Sequence, residues 1–313
     1  SIRVLIEEVF VSDILVVGSL AYDSIETPAG KVDRALGGSA NYFSLASSLY
    51  SRVRVVGVVG DDYDKKDFEL LKSRNVDTTG MTVQKGKTFH WSGYYDGDLN
   101  EAVTRSTELN VFEHFNPILP ESYKDSKFVF LANISPDLQL KVLEQVKDPL
   151  FVGMDTMNFL ISSKLNDLKK ILKKVDVVLI NEGESMMITG AHNAIAAAPL
   201  LCEMGPKALV IKRGEYGFVL YTKEEGFFIL PAFPTPEVID PTGAGDTFAG
   251  GFFGYLASLN VRPGIHDLKK ACVKGTILAS FTIQDFSVGA LAKVTRNDIA
   301  ARLESYRKVI SFI

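Results

Sequence analysis

Short apolar runs rich in β-branched residues recur along the chain: Ile14–Val17, Val53–Val59, Phe128–Leu131, Phe151–Met154, Val175–Ile180 and Ala208–Ile211. They are continuous rather than alternating, as strands must be when helices cover both faces of a sheet. Stretches with helical spacing lie between them, at Asn41–Tyr50, Lys65–Ser73, Leu138–Gln145, Leu165–Lys174, Glu182–Thr189 and Asn193–Met204. This alternation predicts an α/β fold, a three-layer body with a mostly parallel central sheet. Ligands of such sheets bind beyond the carboxyl ends of the strands, so the residues just past each run are where chemistry is expected.

Two stretches break the rhythm. Residues 21–36 and 83–114 hold no good helix, but they carry alternating apolar and polar residues, the aromatics Phe89, Trp91, Tyr94 and Tyr95, and a turn signal at Asp96-Gly97-Asp98. They read as a small inserted β-sheet, too small to stand alone and suited to cover the strand ends as a lid. The 313 residues then form a single domain, 1–313, with a lid subdomain from about 21–36 and 83–114. Residues 1–11 precede the first clear strand and carry Arg3, Glu7 and Glu8 inside an apolar stretch, which does not fit a signal peptide.

Composition narrows the function. Lys and Arg number 34 against 38 Asp and Glu, with no basic block, so a nucleic-acid partner is not expected. No apolar run approaches the length that spans a bilayer. Cys202 and Cys272 stand far apart without a CxxC pair and read as small buried hydrophobes of a reducing, cytoplasmic protein. His90, His114, His192 and His266 lack metal-ligand spacing. Gly86-Lys87-Thr88 ends like a phosphate-binding P-loop, but Met81 stands where its first glycine is required. The turn after the first strand holds a single Gly18 and no dinucleotide fingerprint.

The most informative stretch runs Asp240-Pro241-Thr242-Gly243-Ala244-Gly245-Asp246-Thr247-Phe248-Ala249-Gly250-Gly251. A strand-like run precedes it, and a long small-residue helix, Thr247–Leu259, follows at once. Gly243 and Gly245 let successive amides turn toward one point at a helix amino terminus, where the macrodipole also favours an anion. Asp246 would then be a carboxylate beside a phosphoryl site, placed to take a proton from an attacking hydroxyl.

This motif resembles the carboxyl-terminal signature of the ribokinase-like, or phosphofructokinase-B type, carbohydrate kinases, and the resemblance covers about residues 13–300. It implies a ribokinase-like fold, Asp246 as catalytic base, and Gly243, Ala244 and Gly245 as the anion hole. It further implies an NxxE motif at Asn181-Glu182-Gly183-Glu184, with Asn181 and Glu184 near Mg2+ and its waters. By residue type alone that tetrapeptide also reads as a helix cap. Lys212, Gly214 and Gly217 resemble the loop near the ATP phosphates and ribose. Asp23 falls where an acidic residue holds sugar hydroxyls, and Gly60-Asp61-Asp62 matches a landmark of structural character. Asp240 and Thr242 match the first half of a monovalent-cation loop, which implies a K+ site, with residues 280–289 a loose match to the second half.

The amino-terminal signature departs from the family. Two glycines, three residues and an Asn that contacts substrate are usual, whereas Gly37-Gly38-Ser39-Ala40-Asn41-Tyr42 brings Asn41 one position early and sets Tyr42 at the usual spacing. Either a residue is deleted before Asn41, or Tyr42 takes the substrate-facing place. Trp91 reads as lid packing or as a stacking wall for a sugar or base. His90 and Arg105 read as polar lid residues. The resulting expectation is an ATP-dependent kinase acting on the hydroxymethyl group of a small sugar or sugar-like alcohol. A nucleoside kinase is the alternative, and a sensor without turnover is disfavoured because it needs no base. ATP and Mg2+ are the implied cofactors, and a homodimer through the lid is implied by the family.

Overall fold

The computed structural model describes residues 13–97 and 99–311. Residues 1–11 and Asp98 of the expected lid turn therefore lie outside the described residues.

In chain order the elements are β1 (Asp13–Val17), β2 (Ala21–Thr27), β3 (Gly30–Gly37), α1 (Ser39–Ser47), β4 (Arg52–Gly60), α2 (Lys65–Ser73), β5 (Val76–Gln84), β6 (Phe89–Tyr95) and β7 (Ala102–Glu108). There follow β8 (Phe128–Leu131), α3 (Pro136–Gln145), β9 (Phe151–Met154), α4 (Asn158–Leu172), β10 (Val177–Asn181), α5 (Glu182–Thr189), α6 (Ala194–Glu203), β11 (Ala208–Lys212), β12 (Phe218–Thr222), β13 (Gly226–Leu230), α7 (Ala244–Ser258), α8 (Ile265–Thr282) and α9 (Arg296–Ile310).

Nine strands form one sheet in the order β13-β12-β11-β10-β9-β8-β1-β4-β5. It is parallel from β5 to β11, and β12 and β13 close that edge antiparallel. The apolar runs do become its strands, each buried on both sides. One core, with Phe43, Phe130, Phe252 and Phe253, packs under α1, α7 and α8, and the other, with Val142, Leu168, Ile180 and Leu201, under α3 to α6. Both cysteines are free and buried in these cores. No single helix among the described residues is long and apolar enough to cross a membrane.

The second sheet has the order β3-β2-β6-β7, so the lid sheet spans residues 21–37 and 89–108. The flanking stretches belong to the body. Val83 and Gln84 pair with β4 as the end of β5, and Val111 and Phe115 are buried in the second core. The wider expectation of 83–114 followed from turn-rich composition, which does not distinguish a lid strand from an edge strand of the main sheet. The run before Asp240 is likewise irregular rather than a strand; it is tied down because Ile239 N–H donates to Ile283 O at 2.8 Å.

Helix α7 touches its neighbours backbone to backbone. A Cβ on Gly250 would stand 2.5 Å from Phe43 O, and one on Gly254 2.9 Å from Ser47 Cα, both in or beside α1. On the other flank a Cβ on Gly251 would lie 3.1 Å from Gly275 Cα in α8. Ser47 and Ser51 hydroxyls donate to the Gly250 and Gly254 carbonyls at 2.9 and 3.0 Å, locking the register. Gly250→Ala improves helix propensity, yet its methyl must displace backbone, so stability to urea falls by about 1–3 kcal/mol. Unchanged stability would mean that the α1–α7 contact is looser than described.

Candidate active site

The candidate residues fall into three groups: the loop and first turn of α7, the ends of β10 and β11, and the small sheet with the start of α1. Gly243 is the residue before α7, with φ +75°, and a Cβ there would stand 2.4 Å from the ring of Tyr42. Both the left-handed backbone and the ring therefore demand glycine. Ala244 N–H turns onto Pro241 O at 3.1 Å. Gly245 and Asp246 stand in the first helical turn, where amides have no partner four residues back. A Cβ on Gly245 would lie 2.9 Å from Lys212 Nζ, so an ammonium flanks those amides.

Carboxylates crowd this cation. Burial raises the Asp246 carboxyl to about 6, with the Lys212 charge pulling the other way. Asp155, which follows β9 and is 4% exposed, is pushed well above the usual range by burial and by the charge of Asp246, with Lys212 again opposing. Glu184 is raised by burial as well and feels both Lys212 and Asp246. Desolvation thus dominates at each acid, as expected where several like charges share one hollow.

At the ends of β10 and β11, parallel pairing sets Asn181 opposite Lys212. Asn181 Oδ1 accepts from Glu184 N–H at 2.7 Å and Glu184 Oε2 from Asn181 N–H at 2.8 Å, a reciprocal cap on α5. The NxxE motif is thereby a capping box in geometry. Gly214 and Gly217, at φ +53° and +85°, make the turn after β11, where Arg213 N–H meets Gly217 O at 2.8 Å. The β6–β7 turn reaches this side: Asn100 Oδ1 is 3.0 Å from where a Gly214 Cβ would be.

In the small sheet Asp23, in β2 and 5% exposed, rises to about 7 through burial first, then the charges of Asp240 and Asp246, against a hydrogen bond from the Gly38 amide. A Cβ on Gly37 would collide with its carboxylate at 2.0 Å, and Gly38 has φ +87°. Asn41 is fully buried, and its side chain is turned inward: Nδ2 donates to Gly37 O at 2.7 Å and Oδ1 accepts from Tyr63 OH at 3.4 Å. Tyr42 instead feels Asp23, Asp240, Asp246 and Tyr95. Trp91 pairs in register with Asp23, and its indole N–H donates to Thr104 Oγ1 at 3.1 Å within the lid. His90 bonds Ser24 Oγ at 2.9 Å and Arg105 pairs with Glu26 at 2.7 Å, both on the lid itself.

Asp240 is fully buried; its oxygens accept from Thr242 N–H at 2.9 Å and Ser287 N–H at 3.1 Å. Thr242 Oγ1 reaches Tyr95 OH at 3.1 Å, and Ser287 Oγ donates to Leu36 O of β3. The two halves of the loop that resembled a cation site are therefore in contact, and both touch the lid.

Sequence reasoning passed over Asp155, Thr156 and Asn133, which directly follow β9 and β8. Asp155 Oδ1, Thr156 Oγ1 and Asn133 Oδ1 are buried and pair with no described atom. Their position past strand ends was the available signal, but no motif drew attention to them.

Comparison with known proteins identifies the family and the fold. The model of the pfkB family carbohydrate kinases matches residues 11–294. A cytidine kinase of Thermococcus kodakarensis is 34% identical over 251 residues, covering 78% of this chain and 88% of the relative. The crystal structure of Methanocaldococcus jannaschii nucleoside kinase superposes with a TM-score of 0.74 at 21% identity, covering 95% of this chain and 99% of the other. That of Salmonella enterica aminoimidazole riboside kinase, complexed with aminoimidazole riboside and an ATP analogue, gives 0.73 at 18% identity, covering 93% and 100%. With the family model spanning most of its length and the ribokinase-like fold complete, this chain belongs to the pfkB family of carbohydrate kinases.

Proposed function

We propose that the protein transfers the γ-phosphoryl group of ATP to the hydroxymethyl group of a nucleoside. The observation that carries this reading is the half-buried Asp246 carboxyl in the first turn of α7, whose neighbour Gly245 faces the Lys212 ammonium. The cytidine kinase and nucleoside kinase relatives favour a nucleoside over a free sugar.

In this mechanism Asp23 accepts hydrogen bonds from sugar hydroxyls, Gly37 and Gly38 keep the backbone out of the way, and the lid with Trp91 excludes water above the base. Asp246 takes the proton of the attacking hydroxyl. The acceptor oxygen bonds to the γ-phosphorus as the bond from phosphorus to the β,γ-bridging oxygen breaks, and ADP leaves. The first-turn amides of α7 and Lys212 face the charge on the transferring group. Lys212, Gly214, Gly217 and Asn181 border the nucleotide. Unpaired buried oxygens fit a hard cation, and Glu184, Asp155 and Thr156 would hold Mg2+ directly or through its waters. When bound, Mg2+ supplies charge neutralisation at the phosphate oxygens. Asp240 and Thr242 are the corresponding candidates for K+. Strand β7, exposed along its length, is the lid edge at which a second copy would pair.

A carboxyl near pH 6 is ionised at neutrality yet remains a usable base. Asp246→Asn is expected to lower turnover by roughly 10²–10⁴-fold with ATP affinity little changed; turnover within a few-fold of the parent removes Asp246 from the base role. Since the active form is deprotonated, kcat/KM should fall as pH drops through about 6.

Stability runs the other way. Asp23 and Asp246 bind protons more tightly folded than unfolded, so their contribution is full below the ordinary carboxylate range and is lost as pH rises through about 6 to 7. Asp246→Asn should accordingly raise Tm at pH 7.5 while abolishing most activity. In an ADP-release assay with Mg–ATP, with and without K+, cytidine or another nucleoside should outrun ribose, fructose and inositol. A free sugar outrunning every nucleoside would overturn the acceptor assignment.

A further inference from the structure

Tyr22, Tyr42, Tyr123 and Tyr306 are among the largest fully buried side chains. Buried phenols normally find a hydrogen-bond partner, and here Tyr22 OH donates to Asp67 Oδ2 at 2.8 Å, Tyr123 OH to Asp77 O at 3.0 Å and Tyr306 OH to Pro231 O. Tyr42 OH pairs with no described atom. Its ring is 1% exposed and packs on Gly243 at the distance where a Cβ would clash. Burial first, and then the charges of Asp23, Asp240 and Asp246, hold its phenol well above the usual range. Next to it, Asn41 has spent its side chain on Gly37 O and Tyr63 OH.

When ionised those three carboxylates only accept, and a polyhydroxylated substrate lodged between Asp23 and Asp246 brings oxygens that need a donor as well. We infer that Tyr42 is a specificity-determining residue of the acceptor site, its hydroxyl donating to one oxygen of the substrate while its ring, braced on Gly243, sets the depth at which the attacking hydroxyl meets Asp246. The assignment rests on the phosphotransfer reading above but not on the acceptor being a nucleoside. It predicts a preference for acceptors that carry an oxygen opposite Tyr42, since a site built around a donor rejects the analogue that leaves it unpaired.

The test uses the full chain and Tyr42→Phe, which keeps the ring and its packing. Steady-state kinetics are run at saturating Mg–ATP with cytidine, 2′-deoxycytidine and 3′-deoxycytidine, and in parallel with ribose, 2-deoxyribose and 3-deoxyribose. The parent should discriminate against one deoxy analogue by about tenfold or more in kcat/KM. Tyr42→Phe should lose about that factor on the full acceptor and almost nothing on that analogue, so the discrimination collapses. KM for ATP should stay constant, and Tm should hold or rise because an unpaired donor has been removed. A variant that slows all acceptors by one common factor, or changes none, overturns the inference. Turnover of ribose without cytidine would instead refute the nucleoside reading, and the deoxyribose comparison would still decide Tyr42.

Discussion

The close approach of α7 to α1 and α8 is the constraint on which the site depends. A helix of ordinary side chains would stand off its neighbours by 8–10 Å between axes. Gly250, Gly251 and Gly254, met by Gly275 across α8, let main chain touch main chain instead. Such contact leaves little freedom of tilt or register, so the amino end of α7 has one place to be. That place is beside Lys212 at the end of β11 and over the ring of Tyr42 at the start of α1. Asp246 is then delivered to the cleft by backbone packing rather than by its own contacts.

A second consequence is electrostatic. Around one ammonium, Lys212, the fold gathers Asp246, Glu184 and Asp155, with Asp23 and Asp240 close behind. Acids that crowd together in a desolvated hollow destabilise the folded state at neutral pH, which a protein selected for stability alone would avoid. Such clustering of perturbed acids marks a functional site. The lid joins the same system, since Thr242 reaches Tyr95 of β6 and Ser287 reaches Leu36 of β3. The small sheet and the loop before α7 are therefore in direct contact.

Much of this was legible beforehand. The buried strands announced themselves because both-face burial leaves an unbroken apolar run, and the Gly-Ala-Gly-Asp motif because few local structures need two glycines and an acid at a helix start. Four features were harder to read. Strand β5, VDTTGMTVQ, lies at the edge of the main sheet and has the half-polar pattern of a lid strand. The stretch before Asp240 looked strand-like because Val238 and Ile239 are β-branched, although it is fixed by hydrogen bonds to the far end of α8. Asp155 carries no motif, and only the strand order explains why the residue after β9 reaches the neighbourhood of Asp246. Spacing alone left Asn41 and Tyr42 both open; the helical turn then directs one inward to Tyr63 and the other toward the carboxylates.

The central claim is that Asp246 is a carboxyl raised by partial burial and opposed by the charge of Lys212. It is tested most directly by a 13C NMR titration of Asp-labelled protein, with the Asp246 signal assigned by its loss in Asp246→Asn. The account predicts a midpoint near 6 that moves to higher pH in Lys212→Met, because the opposing cation is gone. A midpoint in the ordinary carboxylate range, or one indifferent to Lys212, would contradict it.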